Sequence, residues 1–171
     1  MDAVDKILKQ WQNEMPELEA ENMVLFGRLK RCAALLAPQL EQVLNRYGLG
    51  SGAFDVLATL RRAGHPYCLT PTELFSSLMV TSGTMTTRLK SLETRGLIER
   101  LSNPQDARSL LVRLTPQGKV LVEEVLFPHV ANEKQLLAAL PPDVRKRLEA
   151  DLAVLMRALE CCDVENGDEI S

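Results

Sequence analysis

Between residues 81 and 108 the chain gathers small hydroxyl side chains and cations: Ser82, Gly83, Thr84, Thr86, Thr87, Lys90 and Ser91, then Asp106 and Arg108. Their chemistry is that of recognition. Hydroxyls and glycine let a helix approach a polyanion closely and hydrogen-bond to base edges and phosphates, while lysine supplies charge. Threonine is a poor helix former, so four of them in TSGTMTTRLK require a reason. At 100° per residue Gly83, Thr86, Thr87, Lys90 and Ser91 fall on one side, with Thr84 near its edge; Met85, Leu89 and Leu92 form the opposite, inward stripe. Arg88 projects about 60° from Met85 and so points toward the protein body.

Beyond Arg95-Gly96, a helix end with a glycine stop, LIERL and SLLVRL read as two strands of a hairpin. The loop SNPQDAR joins them. Asp106 is suited to bracing the loop by accepting backbone N–H bonds, and Arg108 to entering a minor groove, where negative potential is strongest.

These residues need elements to hold them. Thr70-Pro71-Thr72-Glu73 is a helix start, with Thr as N-cap, Pro at the first position and Glu three residues after the cap. That short helix should end near Val80 and the next open at Thr81 or Ser82, two helices around a tight turn. Ala53 to Ala63 is expected to be helical, and inside it Asp55 stands among apolar neighbours in AFDVLATL. A carboxylate there is costly unless a cation or donor meets it. It is either an acid near the positive end of the helix dipole or a paired, functional Asp.

Toward the N-terminus a helix is expected over residues 2 to 14, and a second from about Glu17 to Tyr47, interrupted and kinked at Pro38. In the second, Leu25, Leu29, Cys32, Leu36, Leu40, Val43 and Tyr47 repeat at intervals of three and four. Residues 116 to 138 and 142 to 160 are amphipathic, joined by Leu140-Pro141-Pro142, and neither can bury its stripe alone. The fold class is therefore mainly α with a small β-hairpin wing. A winged helix-turn-helix region spans 51–115, dimerisation helices span 1–47 and 116–162 with 1–14 an additional N-terminal helix, and 163–171 is a loose acidic tail.

With 171 residues, 46% hydrophobic and only 4% aromatic, the chain can bury a core of mostly Leu, Val and Ala. The formal charge of −3 conceals an asymmetry: residues 81 to 119 hold seven Lys or Arg against three acids, residues 143 to 171 four against eight. A basic surface is thus expected on the central unit alone. Residues 1 to 20 contain no continuous apolar run, so no signal peptide or membrane span is expected, and the expected location is the cytoplasm. His65 and His129 are isolated, no nucleophile–base pair stands out, and no Gly-rich phosphate loop occurs, which argues against an enzyme. Cys32, Cys68, Cys161 and Cys162 lack metal spacing and a disulfide framework; they read as idle thiols in a reducing compartment, and neither a metal nor a cofactor is expected.

TPTEL, the helix from Thr81, ETRGLIER, the loop ending DAR, and VRLTPQGK resemble the MarR family of winged helix-turn-helix transcription factors over most of the chain. The resemblance implies a homodimer on double-stranded DNA at a pseudopalindromic operator, usually repressing. The chain is also similar to the urate-responsive, PecS-like branch, which carries an additional N-terminal helix with a Trp, an Asp in the third helix, an Arg in the recognition helix and an Arg opening the wing. Trp11, Asp55, Arg88 and Arg100 match those positions. The match implies an anionic effector, urate or a related purine: Trp11 stacks on it, Arg88 and Arg100 pair it, and Asp55 neutralises Arg88 in its absence. A ligand competing for Arg88 would favour a state that fits DNA poorly. The alternative within the family is a sensor of phenolic compounds, or of oxidants through Cys32.

Overall fold

A computed structural model describes residues 1–79, 85–104 and 106–167, the side chains of 106–108 and 162–167 excepted. Seven helices and three strands follow in the order α1 (Ala3–Glu14), α2 (Asn22–Asn45), α3 (Ser51–Arg62), β1 (Cys68–Leu69), α4 (Pro71–Ser77), α5 (Met85–Thr94), β2 (Ile98–Asn103), β3 (Asp106–Leu114), α6 (Pro116–Leu136) and α7 (Pro142–Gly167). They form two compact units, Met1–His129 and Val130–Ser171.

The first unit holds the helix-turn-helix and the sheet. α4 opens as its sequence dictates: Glu73 N–H donates to Thr70 Oγ1 at 3.2 Å and Thr70 N–H to Glu73 Oε2 at 2.8 Å. The Thr70 N–H foremost, and the Thr70 hydroxyl donating to Oε2 at 2.8 Å second, hold the Glu73 carboxyl below its ordinary range. β2 and β3 pair antiparallel, Glu99 opposite Arg113 and Leu101 opposite Leu111. The expected hairpin gains a strand, because β1 pairs with β3 through Cys68–Arg113 and Leu69–Val112, giving the order β1-β3-β2. Two residues between turns carry no periodicity, so only the tertiary pairing defines β1. The core lies where α3 meets α4, α5 and the sheet: Val56, Leu57, Leu60, Leu74, Leu92 and Ile98 are all sealed from solvent. α6 begins against the sheet so closely that a Cβ on Gly118 would strike the Leu97 carbonyl. Its N–H donates to Thr115 Oγ1 at 3.0 Å.

Three expectations are corrected. α2 starts at Asn22, not near Glu17, because a turn intervenes, with Leu18 N–H on the Met15 carbonyl and Ala20 buried. α2 continues across Pro38 as one helix, since neighbouring turns keep their hydrogen bonds when one donor is lost. The helix expected to stop at 160 runs to Gly167, taking residues 163–167 out of the tail; a helix propagates at little cost once nucleated.

α1 is fastened to α2 at one end by charge. Asp2 caps the helix by accepting from the Val4 and Asp5 amides, and Arg28 reaches back from α2 to Asp2 Oδ2 at 2.9 Å and Asp5 Oδ1 at 2.5 Å. The Asp5 amide, with the Arg28 guanidinium second, lowers the Asp2 carboxyl below the usual carboxylate range. A depressed acid stabilises above its unfolded pKa and loses that contribution as pH falls through its folded one. Arg28→Ala at neutral pH, and the wild type in strong acid, should therefore loosen α1 first: amide exchange across 3–14 should rise several-fold while α3 and α5 stay protected.

Candidate nucleic-acid interface

The recognition helix α5 presents two faces. Leu89 and Leu92 are buried, with Met85 packed against the same core, while Thr86, Thr87, Lys90 and Ser91 are exposed. The inward stripe and the outward hydroxyl face thus fall as helical spacing requires. Ser82, Gly83 and Thr84 lie outside the described residues; Asp106 and Arg108, expected in the loop between the strands, belong instead to the start of β3, because the pairing with β2 extends to Asn103 opposite Asp106, and their side chains lie outside the described part.

The outward face divides further. Thr87, Arg88 and Ser91 border a cavity of about 450 Å³ whose far wall is the turn Gly50–Ala53 at the start of α3, with Glu41 of α2 at its rim. Glu41 Oε1 accepts from Ser51 N–H at 3.2 Å, capping a helix whose own N-cap residue, Gly50, has no side chain to do so. The Arg88 guanidinium lies across Gly52, where a Cβ would collide with it. Arg88 therefore points to the protein body, as its angle on the helix predicts. Thr86 and Lys90 lie on the face turned from that cavity.

Asp55 is 8% exposed, and its Oδ2 accepts from the Met79 amide at 3.0 Å. A buried carboxylate is tolerable when a donor meets it, and here the donor is main chain at the exit of α4. Arg100, on β2, sets its Nε 3.3 Å from Glu93 Oε2 of α5. Trp11, 38% exposed, lies in a separate groove of about 400 Å³ between α1 and α2, with Ile7, Leu8, Met23, Phe26 and Lys30. Neither cavity contains all four candidates: Trp11's holds none of Asp55, Arg88 and Arg100, and Arg88's holds none of the other three.

Sequence reasoning passed over Glu41, Arg62 and Arg95, whose partners are main-chain atoms distant in sequence. The remaining chemistry-bearing residues are packed structurally. The His129 ring packs tilted against Phe54 with centroids 4.7 Å apart, and Arg61 and Lys119 each lie over the Tyr67 ring, 5.1 and 5.2 Å from its centroid. Burial raises the Cys68 thiol, whereas Cys32 and Cys161 are exposed. Among the described residues no cluster suits a metal ion, and no helix is long and apolar enough to cross a membrane.

A short helix, a turn and an exposed hydroxyl-bearing helix, flanked by a three-stranded sheet, define a winged helix-turn-helix regulator. The sequence pattern of the MarR family matches residues 50–110, and the chain belongs to that family. It is similar to the HTH-type transcriptional regulator PecS of Dickeya dadantii, 37% identical over 147 residues, which cover 86% of this chain and 89% of that one. The multiple antibiotic resistance protein MarR of Salmonella typhimurium is 38% identical over 100 residues, 56% of this chain and 67% of that one. A crystal structure of a mutant MarR from E. coli complexed with operator DNA superposes with a TM-score of 0.69 at 29% identity, over 81% of this chain and 98% of that one. The protein is thus a DNA-binding transcriptional regulator and not an enzyme.

The Asp55 contact has a direct consequence. Asp55→Ala should remove the acceptor of the Met79 amide and raise that amide's exchange rate at least tenfold, with a stability loss of about 1–3 kcal/mol. Hydrogen exchange read at Met79, with urea unfolding alongside, checks both.

Proposed function

We propose that the protein binds a pseudopalindromic operator as a homodimer, usually repressing, and is released by a small anionic effector of the urate type. The observation that carries the DNA reading is the face of α5: Thr86 and Lys90 are exposed opposite the buried Leu89 and Leu92, so the core holds the helix while its polar side stays available. In this reading Ser82, Gly83, Thr84, Thr86, Thr87, Lys90 and Ser91 meet the major groove, and Asp106 braces a wing from which Arg108 enters the minor groove. The related MarR of E. coli complexed with operator DNA supports it.

Dimerisation is supported by apolar side chains left in solvent within each unit. α1 and α2 expose Ile7, Leu25, Phe26 and Leu35, and α7 exposes Leu152, Val154 and Met156. Faces of that kind mark interfaces, and a twofold assembly would set two recognition helices about one DNA turn apart.

For the effector, Arg88 beside a cavity of about 450 Å³ is the natural partner of an anion, and that volume lies within the range of small-molecule pockets. In this reading Arg100 exchanges Glu93 for the anion, Asp55 links the site to Met79 at the exit of α4, and Trp11 offers a ring for stacking. Because Trp11 and Arg88 border different cavities, this reading entails a movement of α1 on binding. Cys32 is exposed on α2, which gives the oxidant-sensor alternative the access it needs.

Two measurements test these readings. On the DNA upstream of its own gene, Arg108→Ala should weaken binding and reduce the slope of log affinity against log salt by about one per subunit; an unchanged salt series rules out the wing contact. Urate at high micromolar concentration should release the wild type from that DNA, with Trp11 fluorescence changing in parallel, and Arg88→Ala should need at least tenfold more. No release by urate, or equal release of the variant, sinks the effector assignment. Release by peroxide instead, abolished in Cys32→Ser, would select the oxidant reading.

A further inference from the structure

Two exposed arginines that a charge map would assign to DNA phosphates have main-chain partners. Arg62, in the last turn of α3, donates from Nη2 to the carbonyl of Ser77, the final residue of α4. Arg95, the residue after α5, donates from Nη1 to the carbonyl of Gly48 at 2.9 Å, just beyond the end of α2. Ser77 stands in the last turn of α4, where the final carbonyls lack intrahelical donors, and Gly48 lies in the turn that follows α2. A guanidinium supplies a donor and a positive charge there together.

The placement of the pair matters more than either bond. Asp55 and Arg62 are seven residues apart on α3, hence on one face, and they grip the exit of α4 at the Met79 amide and the Ser77 carbonyl. Arg88 and Arg95 are also seven apart, and both reach the α2–α3 corner, at Gly52 and Gly48. The end of α4 and the end of α5 are thus each held by an arginine on a main-chain carbonyl, one to α3 and the other to the α2–α3 corner. Holding both helices of the pair on that frame limits how α5 can tilt.

We propose that Arg62 and Arg95 are positioning residues for DNA binding: they hold the two helices of the helix-turn-helix through main-chain carbonyls and neutralise no phosphate. The proposal rests on DNA binding through α5 and is independent of the effector.

The probe is a duplex of the intergenic DNA upstream of the gene, compared with a random-sequence duplex of equal length. Wild-type protein is measured first, so failure of the operator reading shows there, before any variant. Arg62→Ala and Arg95→Ala should each lose about tenfold in affinity for the upstream duplex, the scale of a charge-assisted hydrogen bond. The salt slope and the affinity for random DNA should not change. Arg62→Gln and Arg95→Gln keep an N–H donor without the charge and should recover most of the loss. A phosphate contact behaves oppositely: Ala and Gln alike lower the slope by about one per subunit and weaken both duplexes. That pattern, or unaltered affinity in the Ala variants, overturns the proposal. Should an Ala variant fail to fold by circular dichroism, the Gln variant decides: an unchanged slope supports positioning, and a lowered one overturns it.

Discussion

The recognition helix cannot stand by itself. α5 has ten residues, and an isolated helix in water needs on the order of 12–15 even with the best helix formers, whereas this one carries Thr86, Thr87 and Thr94. It exists because Leu89 and Leu92 are buried beside Leu60, Leu74 and Ile98. Burial of such a side chain contributes roughly 1.5–3 kcal/mol, ample for two leucines to outweigh the propensity deficit of the threonines. The polar face is therefore free to be chosen for DNA, because it is not asked to hold the helix in place.

α3 packs against both α4 and α5. Its apolar residues Val56, Leu57 and Leu60 face the core, while Gly52, Asp55 and Arg62 contact the Arg88 guanidinium, the Met79 amide and the Ser77 carbonyl. Apolar burial sets how close the helices come, and the polar contacts set direction, since a hydrogen bond weakens steeply with angle. The start of α3 thus meets α5 at Arg88, and its end meets the exit of α4 at Ser77.

Local signals were legible in the chain, and distant pairings were not. The capping box at Thr70, the glycine stop at Gly96 and the inward stripe of α5 depend on residues within one or two turns, so spacing alone predicts them. The direction of Arg88 followed from its angle on the helix. Its resting place across Gly52 did not, because Gly52 comes 36 positions earlier in the chain. β1 escaped for the same reason, its two residues being defined only by Arg113 and Val112. Asp55 stood out as a buried charge, but its donor is a main-chain amide, and main-chain donors leave no trace in a sequence. The separation of Trp11 from Arg88 was equally invisible, since matching residue types to a pattern carries no distances.

The charge of the central segment shows what geometry adds to a count. Seven cations against three acids between residues 81 and 119 suggest a broad electrostatic footprint. In the fold Arg100 lies against Glu93, and Arg113 pairs with Glu99 at 2.9 Å directly across the hairpin. Arg95 bonds the Gly48 carbonyl, and Lys119 sits over the Tyr67 ring on α6. Four of the seven are thereby engaged inside the protein, three of them with a carboxylate that weakens their field at the range of a phosphate, since Lys119 also lies 3.9 Å from Glu123 Oε1. Among the described side chains, what remains for DNA includes Lys90 on the exposed face of α5. A regulator with few available cations draws a smaller share of its affinity from counterion release, so it depends more on hydroxyl and glycine contacts that require an accurately pitched helix. That dependence gives physical sense to arginines bonded to main-chain carbonyls around the helix-turn-helix: in the role proposed for Arg62 and Arg95 they direct α5 rather than add charge to it.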